Sequence, residues 1–217
     1  DINNDALPDI FTLDMLPEDN ERQKLLYGPD NYEHYALMVL NGFYFQNMRN
    51  MLHLNNGNNT FSEISEYAGV NATDWSWGAL IFDLDNDGWK DIIVCNGMYV
   101  DVTDQDYIDF MANESQRNYL QKNNVESDYR LLKSMVVSDP VLNYAFINQH
   151  NLTFKNQSFE LGLGEPGFSN GAAYADLDND GDMDVICNRF NEGPLLLRNE
   201  GTAPRIAVSL EGVSPNT

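Results

Sequence analysis

Short apolar runs of about six residues, closed at both ends by Asp, Asn or Gly, recur along most of the chain. Asp91-Ile-Ile-Val-Cys-Asn96 and Asp184-Val-Ile-Cys-Asn188 are the clearest of them. Runs this short and this rich in Ile and Val predict strands rather than helices. The pattern gives a unit of four strands: A at 78–83 and 171–176, B at 9–13, 91–96 and 184–188, C at 50–55, 143–148 and 195–199, and D at 60–65 and 153–158. Residues 14–49 and 97–142, between B and C, break the rhythm and carry helix signals. Pro17–Leu26 has Pro near its start, acids in its first turn and Gly28 just beyond its end. Thr103-x-x-Asp106 predicts the cap of a second helix with Tyr107, Phe110 and Met111 on one face, and Ser127–Val137 a third that stops before Pro140.

The strands belong to a duplication. Residues 50–95 align with 143–188 at a constant offset of 93 without a gap, matching Asn50 with Asn143, Asn55 with Asn148 and Gly78-Ala79 with Gly171-Ala172. Asp83-Leu-Asp-Asn-Asp-Gly88 matches Asp176-Leu-Asp-Asn-Asp-Gly181, and Asp1–Asp9 is a weaker third copy with Ala6 in place of the glycine. Loop starts lie 82 and 93 residues apart; with insertions of 36 and 46 residues set aside, 46 and 47 remain. That is the size of a four-stranded propeller blade. The expected fold is therefore all-β with helical insertions, a partial β-propeller of four-stranded antiparallel blades. Its expected parts are a partial blade at 1–65, a blade at 66–158 and a partial blade at 159–204. A propeller closes with about four to eight blades, so the expectation is an arc and a fragment of a larger ring.

Charge narrows the function. Lys and Arg number 12 against 34 Asp and Glu, a formal charge of -22, which repels nucleic acid and anionic membranes and calls for cations. No apolar run reaches the length of a membrane helix, and no signal segment opens the chain, so Asp1 reads as the start of a mature or excised product. Cys95 and Cys187 show no metal or redox spacing. In the repeat Cys95 aligns with Asn188, so the two thiols are expected on opposite faces of their strands, unbridged and buried.

The acidic loops carry the candidate chemistry. Calcium takes six to eight oxygens, which alternate residues of a tight loop supply while glycine permits the turn. The expected ligands of the second loop are Asp83, Asp85, Asp87 and Asp91, with the carbonyl of Trp89; those of the third are Asp176, Asp178, Asp180 and Asp184, with the carbonyl of Asp182. The first loop offers Asp1, Asn3, Asp5 and Asp9, one charge fewer, and is expected to bind more weakly. Thr12, Val94 and Cys187 stand where an EF-hand needs its Glu, so these are strand-flanked loops. A metal-free hairpin rich in Asp and Asn is the alternative, but four carboxylates within nine residues repel one another without a cation. Mg²⁺ fits less well because it prefers fewer protein ligands. Identical repetition argues against a glycosidase acid and base pair, which needs two unlike environments once. His34, His53 and His150 join no nucleophilic or HExxH arrangement, so no enzyme is expected.

Asp-Leu-Asp-Asn-Asp-Gly-x-x-Asp, preceded by Trp77-Gly78-Ala79 or Asn170-Gly171-Ala172, resembles the FG-GAP (VCBS) repeat of integrin-like propellers. Asp14-Met-Leu-Pro-Glu-Asp-Asn20, Asp101-Val-Thr-Asp104 and 168–178 further resemble large Bacteroidetes surface proteins that carry these repeats before an ASPIC/UnbV (cartilage acidic protein-like) domain. Residues 205–212 resemble that domain's opening, and 205–217 would start the segment. The resemblance implies a location that is secreted or at the cell surface, the bacterial outer membrane in particular.

Seven of the 12 basic residues, Arg22, Lys24, Arg49, Arg117, Lys122, Arg130 and Lys133, lie in the insertions, which differ from each other as function-bearing loops do. The leading expectation is a calcium-stabilised binding or adhesion module. Its partners would be a protein or glycan ligand on the insertion face and the remaining blades of a larger chain, with neither nucleic acid nor membrane insertion. A glycan-binding or glycan-processing accessory protein, served by Trp75, Trp77, Tyr99 and Tyr107, and a structural spacer are the alternatives.

Overall fold

The computed structural model describes residues 1–26, 32–101, 103–113, 139–202 and 208–212. Three consecutive antiparallel sheets form the scaffold, each a blade of a partial β-propeller-like fold. The first holds β1 (Ile10–Thr12), β2 (Met51–Asn55) and β3 (Phe61–Glu63), in that order. The second is a complete four-stranded meander of β4 (Ser76–Phe82), β5 (Asp91–Asn96), β6 (Tyr144–Asn148) and β7 (Phe154–Asn156). The third contains β8 (Ser169–Ala175), β9 (Asp184–Arg189) and β10 (Leu195–Leu197). Every predicted strand is present, several of them shorter than read.

Four helices decorate the described residues: α1 (Asn20–Leu26), α2 (Tyr32–Leu40), α3 (Ser65–Ala68) and α4 (Gln105–Ala112). The first predicted helix starts three residues later than its proline, where Asp19 accepts the Arg22 amide at 2.7 Å. The cap expected at Thr103 is corrected: the carboxylate of Asp104 accepts the Tyr107 N–H at 3.0 Å, while Thr103 turns back to Asp101. A carboxylate is the stronger acceptor and also complements the helix dipole. The helix expected at 127–137 lies outside the described residues. Strand D does not run to Ser65, because Glu63 turns back to accept the Ser65 amide at 2.8 Å and α3 begins there.

Burial on both faces of the second sheet explains the near-continuous apolar composition of its inner strands. All of β5 and β6 is buried. Side chains of one face, Ile92, Val94, Tyr144 and Phe146, pack with Ile2 and Leu52 between the first and second blades. The alternate residues, Phe82, Ile93, Cys95 and Ala145, pack with Val185 and Cys187 between the second and third. Here the thiols are buried, as expected, yet they are neighbours. They do lie on opposite faces of their own sheets, but stacking turns those faces toward each other, and the two sulfurs come within 3.6 Å as free, buried thiols.

Candidate metal centres

Each acidic loop sits between an innermost strand and the next: 83–90 joins β4 to β5 and 176–183 joins β8 to β9. The loops fold around their first aspartate. Asp83 accepts the amides of Asp87 and Gly88 at 3.1 and 3.0 Å, and Asp176 those of Asp180 and Gly181 at 3.1 and 2.9 Å. This wrapping requires a left-handed residue at the sixth position, where Gly88 and Gly181 both have φ 92°. In the first loop Asp1 holds Asp5 and Ala6 in the same way, at 3.2 and 3.0 Å, although Ala6 must then take φ 66°.

Two carboxylate groups result: Asp83, Asp85 and Asp91, and Asp176, Asp178 and Asp184, each with ligand oxygens within 4.8 Å of one another. Oxygens bound to one calcium ion at 2.3–2.6 Å stand at most about 5 Å apart, so both groups fit that ion. Asp87 and Asp180 stand outside these groups of three and instead brace the loop, accepting the amides of Trp89 and Asp182 at 2.8 and 3.0 Å. In the first loop Asp5 braces Leu7 at 2.8 Å, and Asn3 donates to Asp5 at 2.9 Å.

The ninth residue of each loop is a clamp. Both oxygens of Asp91 accept backbone amides, from Leu84 and Asn148, each at 2.9 Å. Asp9 binds Ile2 and Asn55, and Asp184 binds Leu177 and Asn199, at 2.8 to 2.9 Å. The environments of the clamps differ in sign. Burial pushes the Asp91 carboxyl up to about 6, against the pull of its two amides and with the charges of Asp85 and Asp87 adding to the rise. The amides of Asn199 and Leu177 instead hold Asp184 below the usual carboxylate range, helped by the Arg198 charge. Asp85 is raised by partial burial and by its neighbours Asp87 and Asp83, the repulsion a cation relieves.

Residues that sequence reasoning passed over complete the centres. The amide of Asn148 donates to Ile2 of the first loop and Lys90 of the second, at 2.8 and 3.0 Å. That of Asn199 reaches Leu84 of the second loop at 2.7 Å. Strand C thus ends in an asparagine that ties neighbouring loops together, and the match of Asn55 with Asn148 was its signal. The Nε2 atom of His150 lies 2.6 Å from Asp87, its ring stacked on Trp89 with centroids 4.7 Å apart. Arg198 pairs with Asp178 at 2.7 Å. His150 follows strand C and Arg198 stands at its end, and the far end of that strand lies beside the A-to-B loop in an antiparallel blade.

The insertions leave from the other end. In the pairing of β4 with β5, Phe82 and Asp91 mark the loop end, and Ser76 and Asn96 mark the end from which residues 97–142 depart. The two insertions meet there: Arg22 of α1 pairs with Asp74, with Asp101 at 3.4 Å and with Asp139 at 3.7 Å, and Gln105 donates to the Leu26 carbonyl at 3.1 Å.

Compared with known families, residues 36–94 match the FG-GAP-like repeat. The matched stretch runs from α2 through the second acidic loop to Val94, so the chain contains a repeat of this kind. No curated protein matches the chain. No helix among the described residues is long and apolar enough to cross a membrane.

Proposed function

We propose that this chain is a calcium-stabilised, non-catalytic β-propeller module of a secreted or cell-surface protein, and that it binds a protein partner through its insertions. The FG-GAP-like repeat and the two carboxylate groups support the calcium part of this reading. Further blades of a larger chain would continue the arc beyond its outer sheets.

The observation that carries the partner reading is the surface of the first insertion. Helix α2 buries none of its nine residues, and Leu40 and Tyr44 are 83% and 86% exposed. Tyr32, Leu37, Phe43 and Phe45 are exposed beside them. With Tyr35, seven large apolar side chains open to water within 14 residues are the signature of a protein-binding surface. Of the aromatics offered for a glycan, Trp75 leans on Trp77 and Tyr99 sits between Phe168 and Phe190, while Trp77 and Tyr99 keep an exposed face.

Two measurements test the reading. Chelator added to calcium-loaded protein should lower the melting temperature, since an ion bound only by the folded state stabilises it by mass action; an unchanged melting curve removes the calcium part. The double variant Leu40→Glu, Phe45→Glu should lose the partner captured by native protein and keep its calcium affinity. Capture that survives this variant and fails with Asp176→Asn, in a folded chain, would move the binding surface to the calcium end.

A further inference from the structure

We propose that Cys95 and Cys187 are the site of an intramolecular disulfide that bolts the second blade to the third. The two thiols are the chain's only cysteines. They stand 92 positions apart in sequence, on β5 and β9, yet their sulfurs lie 3.6 Å apart. A disulfide needs these atoms about 2.05 Å apart, a closure of roughly 1.5 Å shared between two side chains.

The backbones at this level are already close. Cys95 pairs with Gly78 and Cys187 with Ala172 across their sheets. A Cβ placed on Gly78 would stand 3.2 Å from the Gly171 Cα and 3.7 Å from the Ala172 nitrogen. A metal is a poorer reading of the pair, because among the described residues no third His, Cys, Asp or Glu converges on it.

The oxidant is a disulfide, either a small molecule such as oxidised glutathione or the active-site bridge of a thiol oxidase. Either thiol can donate to the other; the Arg189 charge beside Cys187 favours its thiolate, so Cys187 is the first nucleophile. The same hydrogen bond, with burial, pushes the Cys95 thiol up. The Cys187 thiolate attacks one sulfur of the oxidant, whose S–S bond breaks and releases a thiolate that takes up a proton. Cys95, giving up its own proton, then attacks the Cys187 sulfur of the mixed disulfide and expels the second thiol. Two electrons and two protons pass from the protein to the oxidant. Both cysteines are fully buried, so exchange belongs to folding or to opening of the blade interface, and the closed interface then shields the bond.

The whole chain, refolded with calcium in graded mixtures of reduced and oxidised glutathione, tests this. Intact mass and alkylation after quenching should show both thiols lost together, with two hydrogen atoms lost, no glutathione adduct and no dimer. Bond formation should need a mixture at least roughly tenfold less oxidising than in denaturant, where proximity is absent. The oxidised protein should melt higher than the reduced protein, and Cys95→Ala or Cys187→Ala should each remove that difference. Glutathione adducts on separate cysteines, thiols that stay reduced in the most oxidising mixture, or equal oxidation in native and denaturing buffer would each overturn the proposal. So would oxidised and reduced proteins that melt together.

Discussion

Ala6 shows what the loop geometry demands of one residue. Its amide is held by Asp1 at 3.0 Å, as the amides of Gly88 and Gly181 are held by Asp83 and Asp176, and this fixes φ at 66°. A left-handed conformation costs an L-residue roughly 1–2 kcal/mol and glycine nothing, although glycine loses more freedom on folding. Ala6→Gly should therefore raise stability by about 0.5–1 kcal/mol, read as a higher denaturant midpoint with unchanged slope. Glu63 gives a second test at this scale. Burial works to raise its pKa, but the Ser65 amide, the charge of Arg49 and the Leu52 amide together hold it below the ordinary 4.5. Its contribution is then fully present above the unfolded value and is lost as pH falls through the lower folded value. Glu63→Gln should remove that part of the acid sensitivity, a change of under about 1 kcal/mol for so exposed a pair, seen when denaturation is compared at neutral and acid pH.

At the scale of elements, the asparagine closing strand C joins the blades more directly than the aspartates do. Asn148 serves two carbonyls in different blades, and its backbone amide holds Asp91. Asn148→Ala leaves Ile2 and Lys90 carbonyls without this donor, and buried acceptors cost about 1–3 kcal/mol each when stripped of a partner. A loss of about 2–4 kcal/mol in unfolding free energy is expected, with weaker calcium binding in the second loop because Asp91 sits beside the altered contact. The strands and loops were legible in the sequence because an apolar run flanked by Asp and Asn is a local signal and the duplication repeats it. Helix α2 was not, since its apolar residues face water and give no one-sided stripe to read. The meeting of Cys95 with Cys187 was hidden for a different reason. Strand periodicity assigns each thiol to a face, and only the stacking order of the blades says which faces meet.

At the scale of the whole molecule, the two ends are built by different means. Aspartates and asparagines organise the loop end, whereas Arg22 organises the insertion end. It reaches Asp74 at the entry to the second blade, Asp101 at the start of the second insertion and Asp139 near its close. Asp74 and Asp101 are buried, so neither carboxylate is free to turn toward water. Removing the cation leaves these charges close together with only neutral donors, Trp75 and Thr103, beside them, and breaking a buried pair on one side costs up to about 3–5 kcal/mol. That loss falls on contacts that dock α1 against α4, not on the strands, whose cores are the apolar clusters between the blades. Arg22→Ala should therefore expose residues 20–26 and 105–112 to limited proteolysis, while the calcium affinity of the second and third loops stays within about twofold of native, as expected for sites with no shared partners. Uniform sensitivity to protease along the chain, or calcium affinity falling with the docking, would mean that the two ends form one cooperative unit. The expected outcome, cleavage confined to the insertions of a chain that still binds calcium, would establish the blades as a scaffold on which the insertions are separately hung.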